Sequence, residues 1–291
     1  MQATFIDPIA LSIGPLQFRW YGIMYMLAFL LGWWLARRRA ARPWSTWTPV
    51  QVDDLLTLVM LGVILGGRLG YVLFYDLPAY VADPVEIFRV WNGGMSFHGG
   101  LLGVLAAFAL YAWRNGRNFM DVSDFVAPLV PPGLLFGRLG NFINGELWGH
   151  VTSLPWGVVF PHAGPEPRHP SQLYEAGLEG VVLFWMLWLY SARPRPRGAV
   201  SGVFALGYGV FRFLVEFVRV PDANLGYLAF GWLTMGQLLC VPLIGVGAWL
   251  LVTAYAWDKP VNAGPRATVA TPQDAAPPVR RAPREQGKKR R

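Results

Sequence analysis

The chain has 291 residues, of which 54% are hydrophobic and only 14% are charged, with a formal net charge of +8. A soluble protein usually carries about a quarter charged residues, so this composition excludes an ordinary soluble enzyme and indicates a membrane protein. The single cysteine, Cys240, lies in an apolar segment, which excludes a disulfide framework and a cysteine metal site. No cleavable signal peptide is expected, because residues 1–18 lack a basic start followed by an apolar core.

Seven apolar segments approach the roughly 20 residues needed to cross a bilayer. They predict an all-α polytopic integral membrane protein with about seven transmembrane helices. The segments are 20–36, 54–75, 97–113, 122–141, 172–191, 200–218 and 232–257. Two are irregular, since the second holds Arg68 among glycines and the fourth contains three prolines. Membrane helices tolerate such residues when neighbouring helices satisfy the freed backbone groups.

The basic residues set the expected orientation. With the N-terminus outside, most of the 25 lysines and arginines fall in cytoplasmic segments, nine of them in residues 259–291. This asymmetry follows the positive-inside rule and predicts an outer N-terminus and a cytoplasmic C-terminus. The net charge is therefore a topology signal, and no nucleic-acid partner is expected.

Two regions flank or interrupt this predicted membrane domain of residues 1–258. The outer loop 142–170 is long enough to form a small extracytoplasmic cap. Residues 259–291 are rich in proline, alanine and arginine with little to bury, which predicts a disordered basic cytoplasmic tail. That tail is either simply solvated or in loose contact with anionic headgroups.

Ionisable residues near or within the predicted spans are the candidates for function, because they usually face a cavity or a partner. They are Arg68, His98, Arg138, Glu146, Arg212 and Glu216. In the seven-span arrangement, the third span begins at His98 on the outer side and the fourth ends near Arg138. Arg212 and Glu216 lie in the outer half of the sixth. We expect these four side chains to converge at the depth of the outer leaflet.

The sixth span carries a polar stripe in GYGVFRFLVEFVRV. Tyr208, Arg212, Glu216 and Arg219 follow one another at helical spacing and fall within about 80° of each other on the helix. An alternative is a pair of Arg212 with Glu216 at i, i+4 that neutralises itself inside the bundle.

The stretch GRLGNFINGE, residues 137–146, ends the fourth span. A helical turn would present Arg138, Asn141 and Asn144 on one side, and the glycines allow a ligand to approach closely. The planar guanidinium of Arg138 suits a phosphate, and the asparagine amides can complete its shell. The alternative is a glycine-capped helix end whose polar residues meet lipid headgroups.

His98 lies among glycines in WNGGMSFHGGLLG. Its ordinary pKa of about 6.5 suits a proton acceptor, although a histidine at the end of a span can also be a satisfied interfacial residue. The other histidines show no metal-binding spacing. In FRWYGIMY, Tyr21 and Tyr25 are spaced as in an aromatic belt. In RHPSQLYE, Pro170 suits a helix start, while Ser171, Gln172 and Glu175 place polar groups at the outer end of the fifth span.

Taken together and in order, five blocks resemble the prolipoprotein diacylglyceryl transferase family. They are FRWYGIMY, GGMSFHGGLLG, GRLGNFINGELWG, RHPSQLYE and GYGVFRFLVEFVR. The resemblance extends to about residue 257. It implies an enzyme of the bacterial cytoplasmic (inner) membrane with an outward-facing site, which uses neither a metal nor an organic cofactor. Such enzymes transfer the diacylglyceryl group of phosphatidylglycerol to the lipobox cysteine thiol of a prolipoprotein. A thioether forms and glycerol phosphate leaves, as the first step of lipoprotein maturation.

The resemblance also carries over to individual residues. The matching positions are Tyr21, His98, Arg138, Asn141, Glu146, Gly149, Tyr208, Arg212 and Glu216. It implies that His98 takes the thiol proton, with Glu146 or Glu216 as alternatives or orienting groups. Arg138 and Arg212 would bind the lipid phosphate and stabilise the charge that develops on it. The remaining residues would bind the substrate, with the tyrosines and Asn141 on headgroup oxygens.

Two other classes of function fit part of the pattern. A lipid transporter or flippase could also bury arginines and glutamates, but it needs a polar path across the membrane, and the inner halves of these spans are apolar apart from Arg68. A non-catalytic lipid-binding protein could use the same arginines without requiring His98.

Overall fold

The structure, a computed structural model, describes residues 6–14, 16–221 and 226–257. A helix, or a run of consecutive helical segments, covers most of each of the seven predicted spans. The helices are α1 (Trp20–Ala40), α2 (Pro49–Phe74), α3 (Leu77–Ala82), α4 (Phe97–Arg114), α5 (Phe119–Val126), α6 (Val130–Ile143), α7 (Ser171–Glu175), α8 (Leu183–Tyr190), α9 (Ala199–Val215) and α10 (Met235–Ala256). The predicted tail, 259–291, lies outside the described residues.

Length and composition support a membrane protein. Four helical segments of the described chain are long and apolar enough to span a bilayer: Pro49–Phe74, Phe119–Ile143, Ser171–Tyr190 and Met235–Ala256. Helix α9 is apolar but shorter, and α1 carries three consecutive arginines, residues 37–39, in its last turn. The protein is therefore a mainly helical membrane protein, while the number of seven spans and their orientation stay predictions.

Two small antiparallel hairpins accompany the helices of the expected all-α class and were not predicted. Strand β1 (Ile9–Ile13) pairs with β2 (Leu16–Arg19), and β3 (Tyr227–Ala229) pairs with β4 (Leu233–Thr234). Strand β2 ends directly before α1, and β4 ends directly before α10. With strands of two to five residues, the period-2 alternation that would reveal them in the sequence is too short to recognise.

The loop expected to form a cap contains neither a helix nor a named strand between residues 144 and 170. Its Phe160 is completely buried, and its ring lies 6.0 Å from the rings of both Phe142 and Trp148. Single β-bridges join Val158 to Arg168 and Gly149 to Arg219. The loop is thus held against the residues that precede α7 and follow α9, the two ends that also carry the charged cluster described below.

Two predicted spans are interrupted helices. Helices α5 and α6 are joined by a 3₁₀ turn, Ala127–Leu129, and the prolines at the start of α6 stand where a missing N–H costs little. In the fifth span, a π-helical segment, Ala176–Val182, separates α7 from α8. Single π-helical turns occur frequently at functional sites, and this one directly follows Glu175.

Arg68, the unexplained arginine of the second span, anchors a loop. It is buried, and its guanidinium donates to backbone carbonyls between residues 86 and 94, including Ile87 at 2.9 Å and Gly94 at 3.2 Å. Glycines of α2 and α4 face each other so closely that a Cβ on Gly103 would overlap the backbone of Gly62. These contacts fix the start of α4, the helix that carries His98.

Candidate active site

Six charged side chains from neighbouring helices meet at the ends of α6 and α9. We call them the arginine–glutamate cluster, and its members are Arg138, Glu175, Glu179, Arg212, Glu216 and Arg219. Three arginines face three glutamates, so the formal charges cancel. Burial of single charges is costly, and mutual pairing is what makes such a cluster tolerable inside a protein.

Glu175 bridges two of the arginines. It is completely buried, and its Oε2 lies 3.0 Å from Nε of Arg138, an ion pair without a well-directed hydrogen bond. Its Oε1 accepts a hydrogen bond from Nη1 of Arg212. The two arginines that the sequence predicted to bind a phosphate therefore converge on a single carboxylate.

Glu216 holds the other side of Arg212. Nη2 of Arg212 lies 2.9 Å from Oε2 of Glu216, Nη1 of Arg219 lies 3.3 Å from Oε1, and Thr234 donates to the same Oε1 at 3.1 Å. Arg212, Glu216 and Arg219 of the predicted polar stripe therefore contact one another. The ion pair between Arg212 and Glu216, which was the alternative interpretation of the stripe, is part of this arrangement. Helix α9 ends at Val215, three residues before the predicted end, because the chain turns there.

Glu179 is the weakly paired member of the cluster. It is completely buried, yet its nearest cation is Nη2 of Arg138 at 4.0 Å, and neither carboxylate oxygen has a hydrogen-bond partner among the described residues. Neither Glu179 nor a site role for Glu175 was predicted from the sequence. Their spacing with Gln172, at i, i+3 and i+7 on an apolar helix, is the signal that would have found them.

The two asparagines of GRLGNFINGE form hydrogen bonds to Glu146. Nδ2 of Asn141 donates to Oε1 of Glu146 at 2.8 Å, and Nδ2 of Asn144 donates to the same oxygen at 3.3 Å. Gln172 donates to the main-chain oxygen of Glu146 at 2.5 Å. Asn141 and Asn144 do share one side, as predicted, but their amides bind this carboxylate, whereas Arg138 binds Glu175.

Both predicted tyrosines lie beside the cluster's helices. The ring of Tyr21 packs on Gly140, where an added Cβ would come within 2.9 Å of Cδ2, and its hydroxyl lies 3.3 Å from that of Tyr25. Tyr208 precedes Arg212 by one turn of α9 and stacks on Phe204 with ring centroids 5.9 Å apart. Gly140 therefore gives α1 and α6 their close approach.

His98 lies apart from these contacts. It is exposed near the start of α4, and its ring stands nearly perpendicular to that of Phe97 at 5.6 Å. Among the described residues, no hydrogen bond or ion pair of the structure joins His98 to the arginine–glutamate cluster. Arg138, Arg212 and Glu216 do meet in one cluster, since Glu175 joins Arg138 to Arg212 and Arg212 pairs with Glu216. The convergence of His98 with them and their depth in the outer leaflet stay predictions.

Gly149 has a packing role that makes a testable prediction. Its N–H donates to the carbonyl of His169 at 2.9 Å, and an added Cβ would lie 2.7 Å from Cβ of His169 and against the carbonyl of Val218. We expect Gly149→Ala to displace the backbone next to Arg219 and to lower the thermal unfolding midpoint by about 5 °C. Gly32→Ala, on α1 with no atom within 4 Å of the added Cβ, is the comparison; equal midpoints in the two variants would contradict this role.

The fold and the site define a helical membrane protein in which mostly part-buried arginines pair with buried carboxylates at one end of the bundle. This arrangement is expected of a membrane-embedded site for a charged substrate. The sequence model of the prolipoprotein diacylglyceryl transferase family matches residues 8–253. The chain belongs to this family and is a transferase, which confirms the resemblance stated from its motifs.

Similar proteins from several bacteria carry the name of the same enzyme family. Over 246 residues, covering 84% of this chain and 94% of the relative, the chain is 70% identical to the phosphatidylglycerol–prolipoprotein diacylglyceryl transferase of Nitratidesulfovibrio vulgaris strain DP4. It is 62% identical to the protein of the same name from Azotobacter vinelandii, over 86% of this chain and 95% of the relative. The corresponding Pseudomonas aeruginosa protein (strain PAO1) is 60% identical over 87% and 95%.

Proposed function

We propose that this chain transfers the diacylglyceryl group of phosphatidylglycerol to the lipobox cysteine thiol of a prolipoprotein. Its relatives are named phosphatidylglycerol–prolipoprotein diacylglyceryl transferases. The observation that carries the proposal is the convergence of Arg138 and Arg212 on Glu175. Two guanidinium groups that one carboxylate holds side by side can also share one phosphate, because a phosphate offers paired oxygens to the remaining donors of each planar fork.

The phosphate of the donor lipid would bind the remaining N–H groups of Arg138 and Arg212, while Glu175 keeps the two guanidinium groups aligned. The sulfur of the acceptor attacks the glyceryl carbon, a C–S bond forms, and the C–O bond to phosphate breaks with its electron pair on the departing oxygen. Negative charge grows on glycerol phosphate in that step. Arg138 and Arg212 stabilise it in a site with little water, where such interactions are stronger than in bulk solvent.

The acceptor thiol must also lose its proton. Its ordinary pKa of about 8.5 leaves it mostly protonated at neutral pH, so a base speeds the attack. We assign the role of this base to His98. Glu146 and Glu216 would help to orient the two substrates. Tyr21, Asn141 and Tyr208 would contact headgroup oxygens, and Gly149 would shape the site. The proton then leaves with glycerol phosphate, so the net reaction balances.

We also propose a membrane topology for the chain. Residues 1–258 form the catalytic membrane domain with seven spans, an outer N-terminus and loop 142–170 as a cap, and residues 259–291 form a cytoplasmic tail. The charge bias of the connecting segments supports this orientation. The arginine–glutamate cluster then lies at the outer face of the bacterial inner membrane, where secreted prolipoproteins are available.

Transfer can be tested directly with the purified chain, phosphatidylglycerol and a lipobox peptide. We expect the peptide to gain the mass of one diacylglyceryl group and glycerol phosphate to appear in equal amount. A peptide with serine in place of its cysteine should gain nothing. Unmodified peptide in the presence of folded protein would reject the proposed reaction.

Substitution of His98 separates catalysis from lipid binding. We expect His98→Ala to lower the transfer rate by about 100-fold, the low end of what a general base contributes, with phosphatidylglycerol binding within twofold of the parent. The matched control is His162→Ala, an exposed loop histidine, which should leave both unchanged. Unaltered transfer in His98→Ala would remove His98 from the mechanism.

A further inference from the structure

A second charged site lies at the other end of the bundle. A cavity of about 190 Å³ opens between the C-terminal end of α1, the start of α5 and the segment between α8 and α9. It is lined by Arg39, which follows Tyr21 by 18 residues of the same helix. At 1.5 Å per residue, the two ends are about 27 Å apart, so this basic cavity is distinct from the arginine–glutamate cluster.

The lining of the basic cavity is strongly cationic. It contains five arginines and two aspartates. Asp121 pairs with Arg197, with Nε to Oδ1 at 2.6 Å, and the Asp124 carboxylate accepts the N–H groups of Gly198 at 2.7 Å and Ser201 at 2.8 Å. Both carboxylates are thus engaged at the start of α9, and the lining keeps a formal excess of three positive charges.

The hydrogen bonds of Arg39, Arg117 and Arg195 go to neutral oxygens. Arg39 donates to the Ser191 hydroxyl at 2.6 Å and to the Asp124 carbonyl at 3.2 Å. Its Nε is buried and has no hydrogen-bond partner among the described residues. A donor left in this state costs free energy that an anionic acceptor would recover.

Arg117 and Arg195, which also line the cavity, likewise donate to neutral oxygens. Arg117 donates to Thr46 at 2.9 Å and lies over the ring of Trp47 at 4.3 Å, while Arg195 donates to the Tyr190 carbonyl at 2.7 Å. Partial burial lowers the pKa of Arg117 by desolvation. These guanidinium groups are fixed by neutral neighbours, which is the preorganisation that an anion site requires.

Size and surroundings restrict the occupant. A volume of about 190 Å³ is smaller than the pockets of whole organic ligands and suits a compact headgroup. Trp44, on the lining beside Trp47, is a residue type concentrated at the membrane–water interface. Basic pockets between helices near that interface bind phosphate-bearing headgroups.

We propose that the basic cavity binds a phosphate group, carried either by an anionic phospholipid of the adjacent leaflet or by free phosphate. The guanidinium groups of Arg39, Arg117 and Arg195 surround the anion, and Arg193, exposed at the mouth, contributes by charge. The site is independent of the transfer reaction, so either can fail without the other.

The test compares arginine-to-glutamine variants of the full chain. Arg193→Gln removes a mouth charge with little risk to folding, and Arg117→Gln removes a wall of the cavity. Arg38→Gln is the matched control, because Arg38 is exposed at the same helix end, stacked over Trp34 at 4.5 Å and outside the lining. Thermal midpoints are measured in uncharged detergent with inorganic phosphate against chloride at equal ionic strength. They are also measured in phosphatidylcholine nanodiscs with and without phosphatidylserine.

We expect the parent and Arg38→Gln to be stabilised by one or both probes. The half-effect concentration should rise at least tenfold in Arg117→Gln and severalfold in Arg193→Gln. Stabilisation by phosphatidylserine alone identifies a lipid headgroup, and stabilisation by inorganic phosphate identifies the free anion. If neither probe stabilises the parent, or if all three variants respond equally, the cavity is not an anion site.

Discussion

Replacement of Arg138 by lysine is expected to lower the rate of diacylglyceryl transfer by about 100-fold, which is the usual loss on removing one preorganised donor from a site of developing charge. Lysine keeps the positive charge but loses the planar fork, and Nε of Arg138, which lies 3.0 Å from Glu175, has no counterpart in it. The measurement is kcat and KM for phosphatidylglycerol with a lipobox peptide. We expect most of the loss in kcat, because the charge on the leaving phosphate grows only as the C–O bond breaks.

The control is the same arginine-to-lysine substitution at a position outside the cluster. Arg89 forms an exposed ion pair with Glu86 at 3.0 Å, away from the cluster, and exposed pairs contribute little to stability. Arg89→Lys should leave kcat within twofold of the parent. Full activity in Arg138→Lys would mean that charge alone suffices at this position and would contradict a bidentate phosphate contact.

The part of the site that lies on one helix could be predicted from the sequence. Tyr208, Arg212 and Glu216 follow the helical period in an otherwise apolar segment, and a polar stripe in such a segment must find a partner. The structure confirms the pairing of Arg212 with Glu216 at 2.9 Å. The long helices were placed by the length of their apolar segments, which is the strongest signal that a membrane protein has.

The contacts between helices could not be predicted in the same way. Which helix faces α9 depends on packing, so nothing in the period of residues 171–190 showed that Glu175 would reach both Arg138 and Arg212. The π-helical segment after Glu175 turns the following side chains by an amount that an ideal helix does not have. The two hairpins and the fixed loop near Phe160 likewise depend on tertiary contacts.

Replacing Glu175 and Glu179 by glutamine should have opposite consequences, although the two residues are four positions apart and both are completely buried. Glu175 joins two arginines, and breaking a buried pair by removing one partner costs about 3 kcal/mol or more. Glu175→Gln should therefore lower the thermal midpoint by about 10 °C, since 1 kcal/mol corresponds to a few degrees in a chain of this size. It should also lower kcat, because Arg138 and Arg212 lose the carboxylate that aligns them.

Glu179→Gln removes a carboxylate that has only a 4.0 Å contact with Arg138 and no hydrogen-bond partner among the described residues. The thermal midpoint should stay at the parent value or rise, because an uncompensated buried charge disappears. The cluster then carries one more positive charge, which favours an arriving phosphate, so KM for phosphatidylglycerol should fall about tenfold. An increase in KM together with a loss of stability would show that Glu179 is a structural partner of Arg138. The contrast between the two variants thus measures which carboxylate holds the arginines in place and which one competes with the lipid for them.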